Sequence, residues 1–182
     1  MSEKLAVYES VKDGMKTGDM LQWRASTLLG WAIRWKTQGQ RPQYEKDHGI
    51  NVNHTCMVIR LSEYEGRERR RWTQESLEHG VVLNLLSRRL ETFDGEAYWY
   101  PLKPEWNEKR VAIGQMAMAL MGVPYDYESI LKQLISKVST DARNLFCSEN
   151  YLYCCGFEGK ALSPNEMPEL GWHMDPVKIL GG

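Results

Sequence analysis

Residues 145–156, Leu145-Phe146-Cys147-Ser148-Glu149-Asn150-Tyr151-Leu152-Tyr153-Cys154-Cys155-Gly156, follow a polar approach and close on a glycine. Glycine adopts positive φ without strain and commonly ends helices, so the run reads as a short helix that opens on Cys147. A thiol there faces unpaired backbone N–H groups and the positive end of the helix dipole. Only the thiolate attacks carbonyl carbon, so Cys147 needs a proton acceptor, and an imidazole in that role needs a third group to fix its tautomer. His54, in Asn53-His54-Thr55-Cys56-Met57-Val58-Ile59, and Glu75, in Thr73-Gln74-Glu75-Ser76, supply those two types. The dipole contributes roughly 0.3–1 kcal/mol at an exposed site. An imidazolium about 4 Å away contributes ~4 kcal/mol at an effective dielectric near 20. His54 is therefore the larger influence on the sulfur.

The segments before this helix read as strands. His54–Leu61 alternates, with His54, Cys56 and Val58 on one face and Thr55, Met57 and Ile59 on the other. Arg69–Leu77 and Val81–Leu85 form the next two strands around a turn at His79-Gly80, and Gly95–Leu102 forms another, closed by Pro101 and Pro104. An antiparallel meander places His54 beside Glu75. Register chooses between Glu75 and Gln74 as the residue facing His54, because a slip of one residue swaps them. Lys16–Trp23 starts at a Gly18-Asp19 turn and runs into a short apolar strand, where the domain proper begins.

Three further helices are expected. Ser26 is a good N-cap for a helix whose Leu28, Trp31, Ala32 and Trp35 form an aromatic stripe, read as core, with a lip for an apolar substrate or membrane surface as the rarer alternative. Glu105–Met121 is the strongest helix, ended by Gly122, and Tyr127–Val138 is another. Gln40–Asn53, with Pro42 and Gly49, reads as a loop. Phe157–Pro176 carries three prolines and reads as a tail over the surface. The fold class is α+β, an antiparallel sheet packed against helices. Residues 1–182 read as a single domain with 1–15 and 157–182 as peripheral segments.

Composition narrows the function. A net charge of −1 and a pI near 6.4 give no electrostatic case for nucleic acid or for a polyanionic surface. Arg67, Arg69, Arg70 and Arg71 lie among Glu63, Glu65 and Glu68 and read as a solvated hairpin tip. No apolar run approaches the ~20 residues of a membrane span, and Met1–Leu5 lacks a signal-peptide core, so a cytoplasmic protein is expected. The four cysteines, Cys56, Cys147, Cys154 and Cys155, do not space as a disulfide framework, and Cys154 and Cys155 read as apolar filling. A zinc site from His54, Cys56, Cys147 and Cys154 has no recognised ligand spacing. No phosphate loop or dinucleotide fingerprint is present, and no cofactor or metal is expected. His48, His79 and His173 fall in loops or turns.

The order of these pieces resembles the circularly permuted branch of the NlpC-type papain-like cysteine hydrolases, which includes YiiX-like amidases and, more distantly, lecithin retinol acyltransferase. The resemblance runs from Gly18 to Gly156 through Gly18-Asp19-Met20, the His54 strand, Glu75 with Gly80-Val81-Val82, Gly122-Val123-Pro124-Tyr125-Asp126, and Cys147-Ser148-Glu149. In ordinary papain-like enzymes the nucleophile helix precedes the histidine strand, and here it follows. The resemblance implies a papain-like fold with the nucleophile at the N-terminus of a C-terminal helix, Cys147 as nucleophile, His54 as base and then acid, and Glu75 as orienter. It also implies that Tyr125 and Ser148 line the cleft or help hold the oxyanion, with the backbone N–H of Cys147 as a further donor. Asn53, Thr55-Cys56 and Asn150 depart from the family pattern, which bears on substrate choice. The implied reaction is cleavage of a peptide-like amide, such as one derived from cell wall, through an acyl-thioester. A phage-encoded protein would meet such a substrate without export. Acyl transfer or thioester cleavage on lipid-like acyl groups uses the same residues, and a non-catalytic peptide- or acyl-binding module is the alternative from another class. The oligomeric state is left open.

Overall fold

The alternation of residues 54–59 is realised as a central strand. The structure is a computed structural model describing residues 3–26, 31, 34, 35, 37–61, 70–77, 80–122, 142–157 and 162–181. Its strands are β1 (Met20–Ala25), β2 (His54–Ile59), β3 (Trp72–Leu77), β4 (Gly80–Leu85), β5 (Gly95–Tyr100) and β6 (Val177–Leu180). They form one sheet of order β4-β3-β2-β1-β5-β6, antiparallel throughout. β2 is interior, and side chains pack on both its faces, which suits its near-continuous apolar sequence. Cys56 and Val58 pack with Leu21, Trp23, Leu86 and Leu90 on one side. Met57 and Ile59 pack with Met20, Tyr98, Tyr151 and Leu152 on the other.

The helices are α1 (Ala6–Val11), α2 (Gln43–Asp47), α3 (Leu86–Thr92), α4 (Arg110–Ala119) and α5 (Ala142–Cys154). A 3-10 turn over Pro104–Lys109 leads into α4, with Pro104 where its missing N–H costs nothing. Gly122, at φ 71°, follows α4, and its N–H bonds Val81 O at 3.1 Å, tying the helix to β4. α5 lies on the Met57 face, and α3 covers the opposite face with Leu86 and Leu90.

Several expectations change. Residues 40–53 hold α2 rather than only a loop, and Glu45 of α2 is buried. Trp31 and Trp35 are helical but 59% and 64% exposed, so this pair does not belong to the core. The two ends are not peripheral. Leu5, Tyr8 and Met15 are buried, and β6 pairs with β5 beyond the last proline, Pro176. Pro164, Pro168 and Pro176 keep the intervening segment irregular, yet Ser163, Asn165 and Met167 are buried in it. Tyr125, the Tyr127–Val138 helix, Leu28, Ala32, Arg67, Arg69 and His79 lie outside the described residues.

Two buried polar devices hold the layers in register. Asp19 Oδ1 accepts from Arg110 Nη1 at 2.8 Å and Leu102 N at 3.0 Å, while Oδ2 accepts from Lys16 N and Trp99 Nε1, each at 2.9 Å. The Gly18-Asp19 pair is thus a structural hub linking β1, β5 and α4. Gln74 and Asn150 form a buried amide pair, with Asn150 Nδ2 donating to Gln74 Oε1 at 2.7 Å and Gln74 Nε2 donating to Ala117 O at 3.2 Å. That pair gives a structural role to Asn150, one of the residues noted above as a departure.

Candidate active site

The site forms where β2 and β3 part. Their register runs Ile59↔Trp72, Val58↔Thr73, Met57↔Gln74 and goes no further, although β3 continues to pair with β4 as far as Leu77↔Gly80. Val58 bonds Asp19 O through its N–H and Gly18 N through its carbonyl, both on the β1 side. Alternation then turns the Thr55 N–H toward β3. No ladder partner meets it there, and it donates instead to Cys147 Sγ at 3.4 Å. α5 delivers that sulfur from the Met57 face, 2% exposed.

His54 and Glu75 come from the same split. Continuing the register would put Cys56 opposite Glu75, so His54 and Glu75 are diagonal neighbours on one face. His54 Nε2 lies 3.3 Å from Glu75 Oε2, and the ring is hydrogen-bonded to Cys147 as well. Gln74 points to the opposite face, into its pair with Asn150. The choice left open by the sequence therefore resolves to Glu75. Its side chain is fully buried and also accepts from Asn84 Nδ2 at 3.1 Å and from Arg89 Nε at 3.2 and 3.3 Å. The Arg89 guanidinium stands 5.2 Å from the Trp23 ring centre and 5.1 Å from that of Phe93, which fixes its position.

The electrostatics follow from these contacts. Burial opposes a charge on His54, but the charge and hydrogen bond of Cys147, and then those of Glu75, outweigh it and raise the imidazole to about 10. Burial pushes the Glu75 carboxyl up, while the His54 hydrogen bond and charge, followed by Arg89 and Asn84, hold it below the usual carboxylate range. The contacts thus favour the charged form of each partner.

Sequence reasoning brought Cys147, His54 and Glu75 together and missed Asn84 and Arg89. Arg89 carried one signal, a basic pair, Arg88-Arg89, that follows the apolar strand end after Leu86-Ser87. Cys147 is not at a helix N-terminus. The helix already runs from Ala142, because residues 142–146 contain no proline or glycine to stop it. The Cys147 N–H thus sits inside the helix, opposite the Arg143 carbonyl four residues back, and is not a free oxyanion donor. At the other end Gly156, at φ 72°, closes α5 as expected, with Phe157 N bonded to Leu152 O and Gly156 N to Tyr153 O. The Ser148 hydroxyl donates to the Leu162 carbonyl, tying α5 to the C-terminal segment. His173 is a core residue whose Nε2 lies 2.9 Å from the Tyr151 hydroxyl, and burial, aided by Lys103 and Arg110, lowers it to about 3.

Among solved structures the chain is similar to metalloprotein YiiX from Escherichia coli O157:H7, DUF1105. The likeness is one of fold. The TM-score is 0.54 at 18% sequence identity, covering 81% of this chain and 68% of that one. No family model matches the chain, and no curated protein does. Among the described residues no helix is long and apolar enough to cross a membrane.

Three donor side chains come close together beside this site. One nitrogen, sulfur or oxygen each from His54, Cys56 and Glu75 lies within 4.8 Å of the others. Cys56 Sγ is engaged by Trp23 Nε1 at 3.0 Å and Thr73 Oγ1 at 2.8 Å, and burial, reinforced by the Glu75 charge, pushes its thiol far above the ordinary range. Both Glu75 oxygens already accept from Arg89. A divalent ion there would face a guanidinium and a protonated thiol, so these three residues do not fit a metal centre.

Proposed function

We propose that the protein is a cysteine-dependent hydrolase of papain-like, permuted NlpC-type architecture, acting on a peptide-like amide. The observation that carries this reading is the doubly anchored His54, bonded to Cys147 on one side and to the buried, Arg89-supported Glu75 on the other. The order base, orienter, nucleophile along the chain adds support. In the proposed reaction the Cys147 sulfur adds to the carbonyl carbon as its proton rests on His54. The tetrahedral oxyanion collapses, the C–N bond breaks, and His54 gives its proton to the leaving amine. Water, deprotonated by His54, then releases the acyl group from the thioester. Glu75 holds the ring and compensates its charge throughout.

YiiX is described as a metalloprotein. The donor chemistry at His54, Cys56 and Glu75 does not favour carrying that description over to this chain.

Iodoacetamide alkylation of Cys147 at pH 6, followed by mass spectrometry, tests the reading in the wild type, His54→Ala and, as a blank, Cys147→Ala. Fast modification that collapses in His54→Ala is the expected result. Equal rates in wild type and His54→Ala would remove His54 from the role of base.

A further inference from the structure

The tetrahedral oxygen needs hydrogen-bond donors, and the helix does not supply one at Cys147, because that N–H lies inside α5. The split between β2 and β3 offers others. Thr55 N–H already touches Cys147 Sγ at 3.4 Å. The Thr55 side chain is fully buried, yet its Oγ1 has no hydrogen-bond partner. Ser76 is 8% exposed, and its Oγ is likewise unpartnered. The register ends at Met57↔Gln74, and Thr55 and Ser76 stand two residues beyond it on their two strands, at the point where the ladder has opened. Thr55 alternates with Met57, and Ser76 with Gln74, so both hydroxyls face the side from which α5 brings the sulfur.

Buried hydroxyls without partners are rare because desolvation opposes them, and two on one sheet face, at the opening that the Cys147 sulfur enters, mark a place kept for an oxygen that is not part of the protein. We infer that the oxyanion hole is built on the strands rather than on the helix, from the Thr55 N–H and hydroxyl together with the Ser76 hydroxyl. This deepens the hydrolase reading and rests on it. As the S–C bond forms, the carbonyl π pair moves onto oxygen and receives these donors. When the oxyanion collapses, the pair returns and the leaving group departs with the proton from His54. Thr55 is then a catalytic residue, and Thr55-Cys56, where the family pattern has other residues, becomes a feature of this chain's own transition-state binding.

Thr55→Val keeps the β-branched shape and the backbone N–H and removes only the hydroxyl. Two rates are compared: turnover of p-nitrophenyl acetate, which passes through an oxyanion, and alkylation by iodoacetamide, which does not. Thr55→Val should lower Cys147-dependent ester turnover by roughly 10²–10³. It should leave alkylation unchanged and melt no lower than wild type. Thr55→Ser should restore most of the rate, and Ser76→Ala should show a loss of the same kind. Turnover at the wild-type rate in folded Thr55→Val would overturn the inference and leave the hydrolase reading standing. Loss of turnover and alkylation together would also overturn it, since Thr55 would then act on the sulfur itself. A wild type whose ester turnover does not depend on Cys147 would sink the hydrolase reading and this inference with it.

Discussion

Glu75→Gln changes one charge and almost no volume, and so isolates what the buried carboxylate does for His54. At 3.3 Å, an imidazolium and a carboxylate attract by about 5 kcal/mol at an effective dielectric of 20. The glutamine carbonyl can still accept from Nε2, so part of the interaction survives the substitution. The His54 side chain is 17% exposed, and solvent screens some of the remainder. An opposite charge at this range ordinarily moves a titration by about 1–3 units, so His54 should titrate lower by that amount. Cys147, the other contributor to the raised value, is untouched. The assay is a pH titration of histidine ε1 signals by two-dimensional NMR, with His54 assigned through His54→Ala. If His54 in Glu75→Gln titrated within about half a unit of the wild type, well under the expected shift, Glu75 would not be its electrostatic support.

Asp19→Ala removes the acceptor shared by Arg110, Trp99, Leu102 and Lys16, and leaves Arg110, 12% exposed, without its carboxylate. A loss of about 3–5 kcal/mol is expected from urea unfolding, and a loss under about 1 kcal/mol would contradict the hub. Asn150→Leu strands the Gln74 amide and should cost about 1–3 kcal/mol, whereas Gln74→Leu/Asn150→Leu should recover most of that; additive losses in the pair would refute the coupling. Glu45 is raised to about 7 by burial, against a hydrogen bond from Tyr100 at 2.5 Å and the charge of Arg41. The folded carboxyl keeps its proton to higher pH than the unfolded one. Its contribution is therefore present below pH 4.5 and is lost as pH rises from 4.5 to about 7. Glu45→Gln should raise Tm more at pH 8 than at pH 4, and an equal shift at both would mean that Glu45 does not titrate in this window.

The strands that carry the site were legible because periodicity of two survives even where both faces are buried. His54, Cys56 and Val58 separate from Met57 and Ile59 as alternation requires. The choice of Glu75 over Gln74 was not legible, since register is a relation between strands, and it was fixed here by Met57↔Gln74. Arg89 was missed because its role depends on α3 folding back over β3, which the basic pair Arg88-Arg89 alone does not announce. The start of α5 was misplaced for a local reason. Residues 142–146 contain no stop signal, so the helix propagates backward past the position where the cysteine looked like a cap. β6 escaped notice because four residues after Pro176 are too few to display a period.

β3 is paired to β4 along its whole length but to β2 only over Trp72–Gln74. Cooperative opening follows the weakest boundary in a structure, and here that boundary runs between His54 and Glu75. The β3–β4 hairpin should therefore surface in native-state hydrogen exchange as a separate unit, freed at lower denaturant concentration than β1, β2 and β5. Its release would carry Glu75 and Arg89's anchor point away from an otherwise folded protein. Thermal or chemical separation of Glu75 from His54 would then precede global unfolding, and brief heating would part them reversibly while the far-ultraviolet signature persisted.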